Sequence, residues 1–468
     1  MRCGTLRRIA EPFGKVLSEW MEKNGYTATT LTKRMNEKSR TVIVRLMKDE
    51  SGYKSCAAFW DRFQKAFPNL SAEERSKFEK SIEVEKHGLE RYQIHALFRS
   101  QLIDGPEPAP VSELADRIAD WAGGRFCRLL ALGCFDAETL SAFQRLLERP
   151  EINLTVEQHV LEEDTPLLYF SFWDGIRLHF DPHYRLYLYK CGCSKEKTGV
   201  CAQNVLLLCR QDGRQRLLRR SGEAWQDMEW SGEPDLTGLY TGILKGTEAL
   251  QETFLNFFGA DELAKFMFTC TAKERNRVIY QLKEDIGVEF LPVELLRTLL
   301  NDQAAAIGLD WEKNGNEIRA LFFSRFQNLY QKNQPTYLTI TRGGMEQFMR
   351  TGCLSDHVAC FRPFTPEERK WVVDFICAQA EKCPSFSLRF LKSKRKIPMT
   401  LVGIEEEGLV VCPSDTRYRL AEHYREVFVT NKTVLEYYNS FYRDVLWPEW
   451  TESQEDTLKE LRRMKDLI

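Results

Sequence analysis

Histidine is scarce in this chain, with seven in 468 residues, at positions 87, 95, 159, 179, 183, 357 and 423. None stands in H-E-x-x-H, and G-x-S-x-G, Walker A and G-x-G-x-x-G do not occur. Zinc-protease, serine-hydrolase, P-loop and dinucleotide chemistry therefore lack their local signatures, and no motif asks for a cofactor or a metal. Nothing approaches the roughly 18 consecutive apolar residues of a membrane span, so no membrane partner is expected. The opening "MRCGTLRRIAEPFGKVL" has no continuous apolar core, so no secretory leader is expected either. Cysteine is not lacking, but its fourteen copies are scattered through apolar stretches such as "RFCRLLALGC" and "VVDFICAQA". Such cysteines behave as small buried hydrophobes in a reducing compartment rather than as a disulfide framework. The expected location is cytoplasmic.

What is present is a soluble, multidomain composition, 43% apolar and 29% charged. The net charge of −2 hides an asymmetry. Residues 1–54 hold twelve Lys or Arg against six Asp or Glu, so this head carries +6 and the other 414 residues carry −8. A small basic head on an acidic body favours docking on a polyanion through the head.

Periodicity predicts a multidomain α+β protein: an N-terminal all-α helix-turn-helix domain, then mixed α/β lobes separated by a helical segment. The expected boundaries are a helical domain at 1–70 and a connecting helix at 71–104. A Pro-rich linker follows at 105–111, then an α/β lobe at 112–235, a helical segment at 236–334 and an α+β lobe at 335–468. Gly25 should end a first helix carrying Phe13, Leu17, Trp20 and Met21, and Thr27 should cap a second. "SAEE" at 71–74 reads as a capping box opening the connecting helix, with a break at Gly88. The alternating prolines of "DGPEPAP" read as a stiff spacer. "RLHFDPHYRLYLYKC" and "QNVLLLCRQDGRQRLLRR" suggest a meander, and "TEALQETFLNFFGADELAKFMF" reads as helical.

"EKSRTVIVRLMKDE" at 37–50 carries the sharpest functional signal. On a helical wheel Val42, Ile43, Leu46 and Met47 fill an arc of roughly 140°, predicted to face inward. Lys38, Arg40, Thr41, Val44, Arg45 and Lys48 take the other side, with no acid among them. A merely solvated helix more often mixes Glu with Lys, because opposite charges four apart add local stability. A helix, a glycine turn, a short capped helix and this basic helix together make a helix-turn-helix, whose second helix enters the major groove. Lys38, Ser39, Arg40, Thr41, Val44 and Arg45 are then the residues facing double-stranded DNA. Arg40 and Arg45 are able to hold guanine through two hydrogen bonds, and Val44 suits a thymine methyl. Lys33, Arg34 and Lys54 at the flanks are placed to hold phosphates, which sets register without reading sequence.

The stretch "LSEWMEKNGYTATTLTKRMNEKSRTVIVRLMKDE" resembles the N-terminal domain of bacterial lambda-repressor-like (XRE-type) transcription regulators. In that family a small residue follows the leucine of the second helix, and a T-I-S-R-hydrophobic run marks the recognition helix. Leu31–Thr32 and "VIVRLM" at 42–47 occupy those places, with Arg45 matching the family's arginine. Ala28 stands where the family has a base-contacting glutamine, Val44 replaces a small polar residue, and the connection between the two helices reads one residue longer. The resemblance covers about residues 10–70 and implies operator binding by that segment.

The body offers weaker candidates. Its first mixed lobe is similar to one half of the phospholipase-D-like fold, whose activity needs an H-x-K pair. "HYR" at 183–185 is the nearest approach here, so that likeness implies a non-catalytic lobe. Cys191, Cys193, Cys201 and Cys209 could supply four thiolates, but the spacing lacks the C-x₂-C pairs of a structural zinc site and reads as a hairpin tip with Gly192 and Gly199 turning. The aromatic run at 168–189 is the filled interior of a small sheet or an effector pocket anchored by Arg177, His179 and His183. The glycine pair of "ITRGGMEQF" is a turn or a helix-start anion site, and the basic run "LKSKRKIP" is a solvated loop or a nucleic-acid contact.

These residues point first to a DNA-binding transcription regulator acting as a homodimer, with the body sensing a small-molecule or protein effector, and with no enzymatic role. The alternatives are a nucleic-acid- or nucleotide-acting enzyme with a helical targeting head, and a protein–protein adaptor.

Overall fold

The computed structural model describes residues 11–37, 39–48, 50–88, 92, 95, 99, 113–162, 175–178, 180–190, 204–221, 224–228, 255–259, 263–306, 309–331, 335–355, 360–393, 396–397, 399–413 and 425–467. The chain divides into two compact units, residues 1–99 and 100–468. The first is helical and the second holds two mixed sheets, so the protein is multidomain α+β.

Five helices make the first unit: α1 (Phe13–Lys23), α2 (Ala28–Arg34), α3 (Arg40–Met47), α4 (Tyr53–Ala66) and α5 (Ala72–His87). Their ends follow from local chemistry. Gly25 takes φ 71° after α1, a left-handed conformation in which glycine pays no steric penalty. Thr27 and Thr30 form a capping box on α2, Ser39 caps α3, and Ser71 and Glu74 form the predicted box on α5. Gly88, at φ 84°, ends α5 where the sequence placed a break. Pro12 offers α1 no side-chain cap, and Glu85 of α5 accepts from the Phe13 amide instead, at 3.0 Å. The core is aromatic: Phe13, Trp20, Phe59, Trp60, Phe63 and Phe78 are buried, with the Trp60 and Phe78 rings stacked at 4.7 Å. Each such side chain contributes roughly 1.5–3 kcal/mol by leaving water.

In the second unit α6 (Glu113–Ala122) leads into β1 (Cys127–Leu132), α7 (Ala137–Leu147), β2 (Leu154–Glu162) and β3 (Tyr184–Lys190). The strands β4 (Val205–Arg210), β5 (Gln215–Ser221) and β6 (Ala224–Met228) follow as a meander. The sheet order is β3-β2-β1-β4-β5-β6, with β1, β2 and β3 parallel and β4 antiparallel to β1. Residues 175–178 are helical and β3 runs parallel beside β2. The expected meander therefore holds for β4 and β5, which β6 extends, but not for the stretch beginning at Arg177, whose strand β3 is parallel to β2. Parallel neighbours need a crossover, and residues 163–183 provide the length for one.

The segment 236–334, expected to be helical, supplies two strands as well as helices. These are β7 (Leu255–Gly259) and β8 (Ile279–Lys283), with α8 (Leu263–Glu274) between them and α9 (Val293–Leu299), α10 (Asp302–Ala306) and α11 (Trp311–Phe326) after. Then come β9 (Thr336–Thr341), α12 (Arg342–Thr351), α13 (Pro366–Lys382), β10 (Phe386–Leu391), β11 (Met399–Ile404), β12 (Gly408–Pro413) and β13 (Arg425–Val429). Helices α14 (Lys432–Phe441), α15 (Trp447–Glu449) and α16 (Gln454–Asp466) close the chain. The second sheet runs β10-β9-β8-β11-β12-β13-β7. Leaving aside β7, both sheets read third, second, first, fourth, fifth, sixth strand. The body is thus one topology used twice.

The glycine pair of "ITRGGMEQF" belongs to the start of a helix rather than to a plain turn. Thr341 caps α12, and Gly343 and Gly344 lie inside its first turn. A Cβ at Gly344 would meet the Glu284 carbonyl oxygen at 2.0 Å, so glycine is required there for close approach to the end of β8. Nearby carboxylates are engaged in fixing loops. Asp285 accepts from the Ser355 amide and hydroxyl at 2.6 and 2.9 Å, and Glu284 accepts from Thr341 Oγ1 at 3.0 Å.

Candidate nucleic-acid interface

The α2–α3 pair is held from inside by three residues. Leu31, Ile43 and Leu46 are fully or almost fully buried in the aromatic core of the first unit. Residues 35–39 connect the helices, with Asn36 at φ 53° making the turn. Asparagine tolerates that left-handed conformation better than other side chains. Met35 and Met47 pack partly against the core and fix the outer rotation of α3.

Ser39, Arg40, Thr41, Arg45 and Lys48 are exposed and Val44 is half-buried. The basic face predicted for α3 therefore points to solvent. Ser39 also caps the helix, its hydroxyl accepting from the Thr41 amide at 3.1 Å. Lys33, Arg34 and Lys54 are exposed on α2 and α4, and the Arg34 guanidinium lies 6.0 Å from the centre of the Phe67 ring. Lys38 lies outside the described residues.

One inward assignment is overturned. Val42 was placed on the buried arc, yet it is 38% exposed. An eight-residue helix resting on Ile43 and Leu46, with Met47 partly packed, leaves the first residue of that arc at the rim. Val42 and Tyr53, exposed at the first turn of α4, join the surface as large side chains that sequence reasoning did not assign to it. The signal for Tyr53 was available in principle, since a helix beginning after Gly52 leaves its first residue free of the core.

The distribution of ion pairs sets this face apart. Lys15 pairs with Glu11 and Glu19, Lys23 with Glu74, Arg62 with Glu37, Lys77 with Glu73 and Lys86 with Glu83. Lys33, Arg34, Arg40, Arg45, Lys48 and Lys54 have no carboxylate partner among the described residues, which is true also of Lys65, Arg75 and Lys80. Both cations of α1 and two of the four on α5 are paired, whereas those of α2, α3 and the start of α4 are left to solvent. Their positive potential is available to a polyanion.

The second group of candidates falls only partly within the described residues. Arg177 donates to the Gln144 side chain of α7 at 2.6 Å, and His183 is exposed just before β3. His179 lies outside the described residues, as do Cys191, Cys193, Cys201 and the spacer at 105–111. Cys209 stands in β4 opposite Arg128. Among the described residues no group of three or more His, Cys, Asp or Glu is placed to hold a metal, and no helix is long and apolar enough to cross a membrane.

Neither a family model nor a curated relative matches the chain. Among solved structures, an archaeal chromatin protein described with a novel mode of DNA binding is 10% identical over 45% of this chain, with a TM-score of 0.22. A polyphosphate kinase from Porphyromonas gingivalis is 9% identical over 80%, with a TM-score of 0.22. A phosphatidylserine synthase from Haemophilus influenzae is 9% identical over 76%, with a TM-score of 0.26. The chain spans 60% and 53% of the first two proteins and 91% of the third. Likenesses this slight carry neither site residues nor activity across.

Proposed function

We propose that this protein is a cytoplasmic DNA-binding transcription regulator in which residues 1–70 dock on double-stranded DNA and α3 reads the major groove. The observation that supports it is the outward face of Arg40, Thr41, Arg45 and Lys48, flanked by Lys33, Arg34 and Lys54, with no carboxylate partner among the described residues. In this reading Arg40 and Arg45 contact base edges and Lys33, Arg34 and Lys54 hold phosphates. Val44 within this face, and Val42 at its rim, offer apolar contact to thymine methyls. An eight-residue helix covers little DNA, so two copies are needed to span half-sites about one helical turn apart. The duplicated lobes of the second unit are then the sensing or assembly region, open to a small-molecule or protein effector.

Binding of the full chain to mixed-sequence duplex, followed by fluorescence anisotropy across a salt series, tests this. Affinity should fall steeply with salt because cations on the face displace counterions. Lys33→Ala should weaken all sequences alike and flatten the slope. Once a preferred site is selected from random duplexes, Arg45→Ala should cost about 1–3 kcal/mol there and relax preference at one base pair. Absence of binding at low ionic strength, or an Arg45→Ala variant with unchanged affinity and preference, overturns the docking.

A further inference from the structure

The connection between α2 and α3 holds the one carboxylate of residues 28–48, Glu37. Its backbone is closed by local bonds. Asn36 stands in the left-handed region with its amide donating to the Lys33 carbonyl at 3.3 Å, and the Glu37 amide donates to the Thr32 carbonyl at 3.0 Å. These two bonds make a Schellman stop, which satisfies carbonyls at the end of α2 and turns the chain toward α3. The residue at the position of Glu37 frequently adds an apolar contact to such a stop. Here its carboxylate instead accepts from Nε of Arg62 on α4 at 2.6 Å. The Glu37 side chain is 11% exposed against 48% for Arg62, so the acid is the sheltered partner. Among the described residues this is the one hydrogen bond or ion pair from residues 35–39 to a helix other than α2 and α3.

Helix α3 needs such a tether. It has eight residues, too few to hold a helix by themselves. Its buried residues are Ile43 and Leu46, one turn apart on a single stripe. Two anchors on one stripe fix where the helix lies but let it roll about that line. Roll carries Arg40, Thr41 and Arg45 sideways, and paired hydrogen bonds to a base edge tolerate little misplacement. A fixed entry into the first turn removes that freedom. The pairing also sets the charge of Glu37 against Arg62. Bare between Arg34 and Arg40, that charge would repel a phosphate.

We infer that the Glu37–Arg62 ion pair is the latch that sets the roll of α3, which makes Arg62 a positioning residue for sequence reading rather than a phosphate contact. The inference rests on the regulator reading for what α3 reads; the latch itself belongs to the head alone. The test compares full-length Glu37→Ala, Arg62→Met, their double variant and Arg62→Lys with the wild type. The first readout, amide hydrogen exchange, needs no DNA. Each of Glu37→Ala and Arg62→Met should speed exchange of the α3 amides about five-fold relative to those of α1, and the double variant should be no faster than either. The second readout is anisotropy with a selected site and with mixed-sequence duplex. Both single variants should lose about five-fold in preference for the selected site with the salt slope unchanged, and Arg62→Lys should keep most of that preference. The sign for Glu37→Ala is decisive. Were Arg62 a phosphate contact and Glu37 a bystander, removing the acid would tighten binding, and Arg62→Met would weaken all sequences alike and flatten the slope. That pattern overturns the latch, as do additive losses in the double variant or an equal acceleration of exchange in α1 and α3. If exchange responds as expected but the wild type binds no duplex at low salt, the latch stands and the regulator reading falls. Duplex binding with exchange and preference untouched does the reverse.

Discussion

A single histidine shows how burial sets chemistry at the scale of one residue. His159 lies on β2, 8% exposed, its ring stacked on Tyr187 at 4.7 Å. Burial disfavours the charged imidazolium and takes its pKa down to about 4. The unfolded chain therefore binds a proton near pH 6.5 that the native chain refuses until about pH 4. Stability is lost as pH falls through that window, by roughly 3 kcal/mol at its lower end. Histidine-labelled NMR should show the His159 ring neutral down to pH 5, and a protonation midpoint at 6 or above would contradict this. Nothing in "LTVEQHVL" foretells this, because it shows a histidine in a strand but not which face the sheet covers. Val42 fails for a related reason. Periodicity identified the direction of α3's buried side, but how far that side extends depends on neighbours that a wheel does not contain.

Elements with local signatures were legible. The capping box at Ser71–Glu74, the Thr27 cap and the helix end at Gly25 are written in a few adjacent residues, and each is present. Strand β8 was missed because all five of its residues are buried while two, Gln281 and Lys283, are polar. Lys283 is tolerated through its pair with Glu289 at 2.6 Å, a partner six residues on that no strand pattern reveals. The same physics binds α8 to α11. Arg325 grips the buried Glu274 through Nε at 3.0 Å and Nη2 at 2.8 Å. Burial pushes the Glu274 carboxyl up, and Arg325 only partly offsets it. Removing the arginine alone strands a buried carboxylate, so Arg325→Met should cost about 3–5 kcal/mol in denaturant unfolding. Arg325→Met with Glu274→Leu should recover most of that loss. If the double variant were as unstable as the single, the pair would be acting through its packing volume rather than its charge.

At the scale of the whole molecule the sequence supported the class of fold but not its repetition. That the two sheets share one strand order was not visible, since β8 lay behind buried polar residues and the parallel placement of β3 behind a long crossover. The helical head is a different kind of object. Its core is drawn from α1 to α5, Phe13 through Ile82, with α5 closing back onto α1 through Phe13, Phe78 and the Phe13 amide–Glu85 hydrogen bond. A core closed within the unit supports autonomous folding. A fragment of residues 1–99 should therefore melt cooperatively by circular dichroism, and in the regulator reading it should keep the salt-dependent affinity of the full chain for mixed duplex. Lacking the body, it should be monomeric, and its affinity for a selected two-half-site duplex should fall about a hundred-fold or more, because linking two heads raises affinity by roughly 10²–10⁴ when both engage. A fragment that bound the selected site as tightly as the full chain would show that one head suffices, and that the body's role in DNA recognition lies elsewhere.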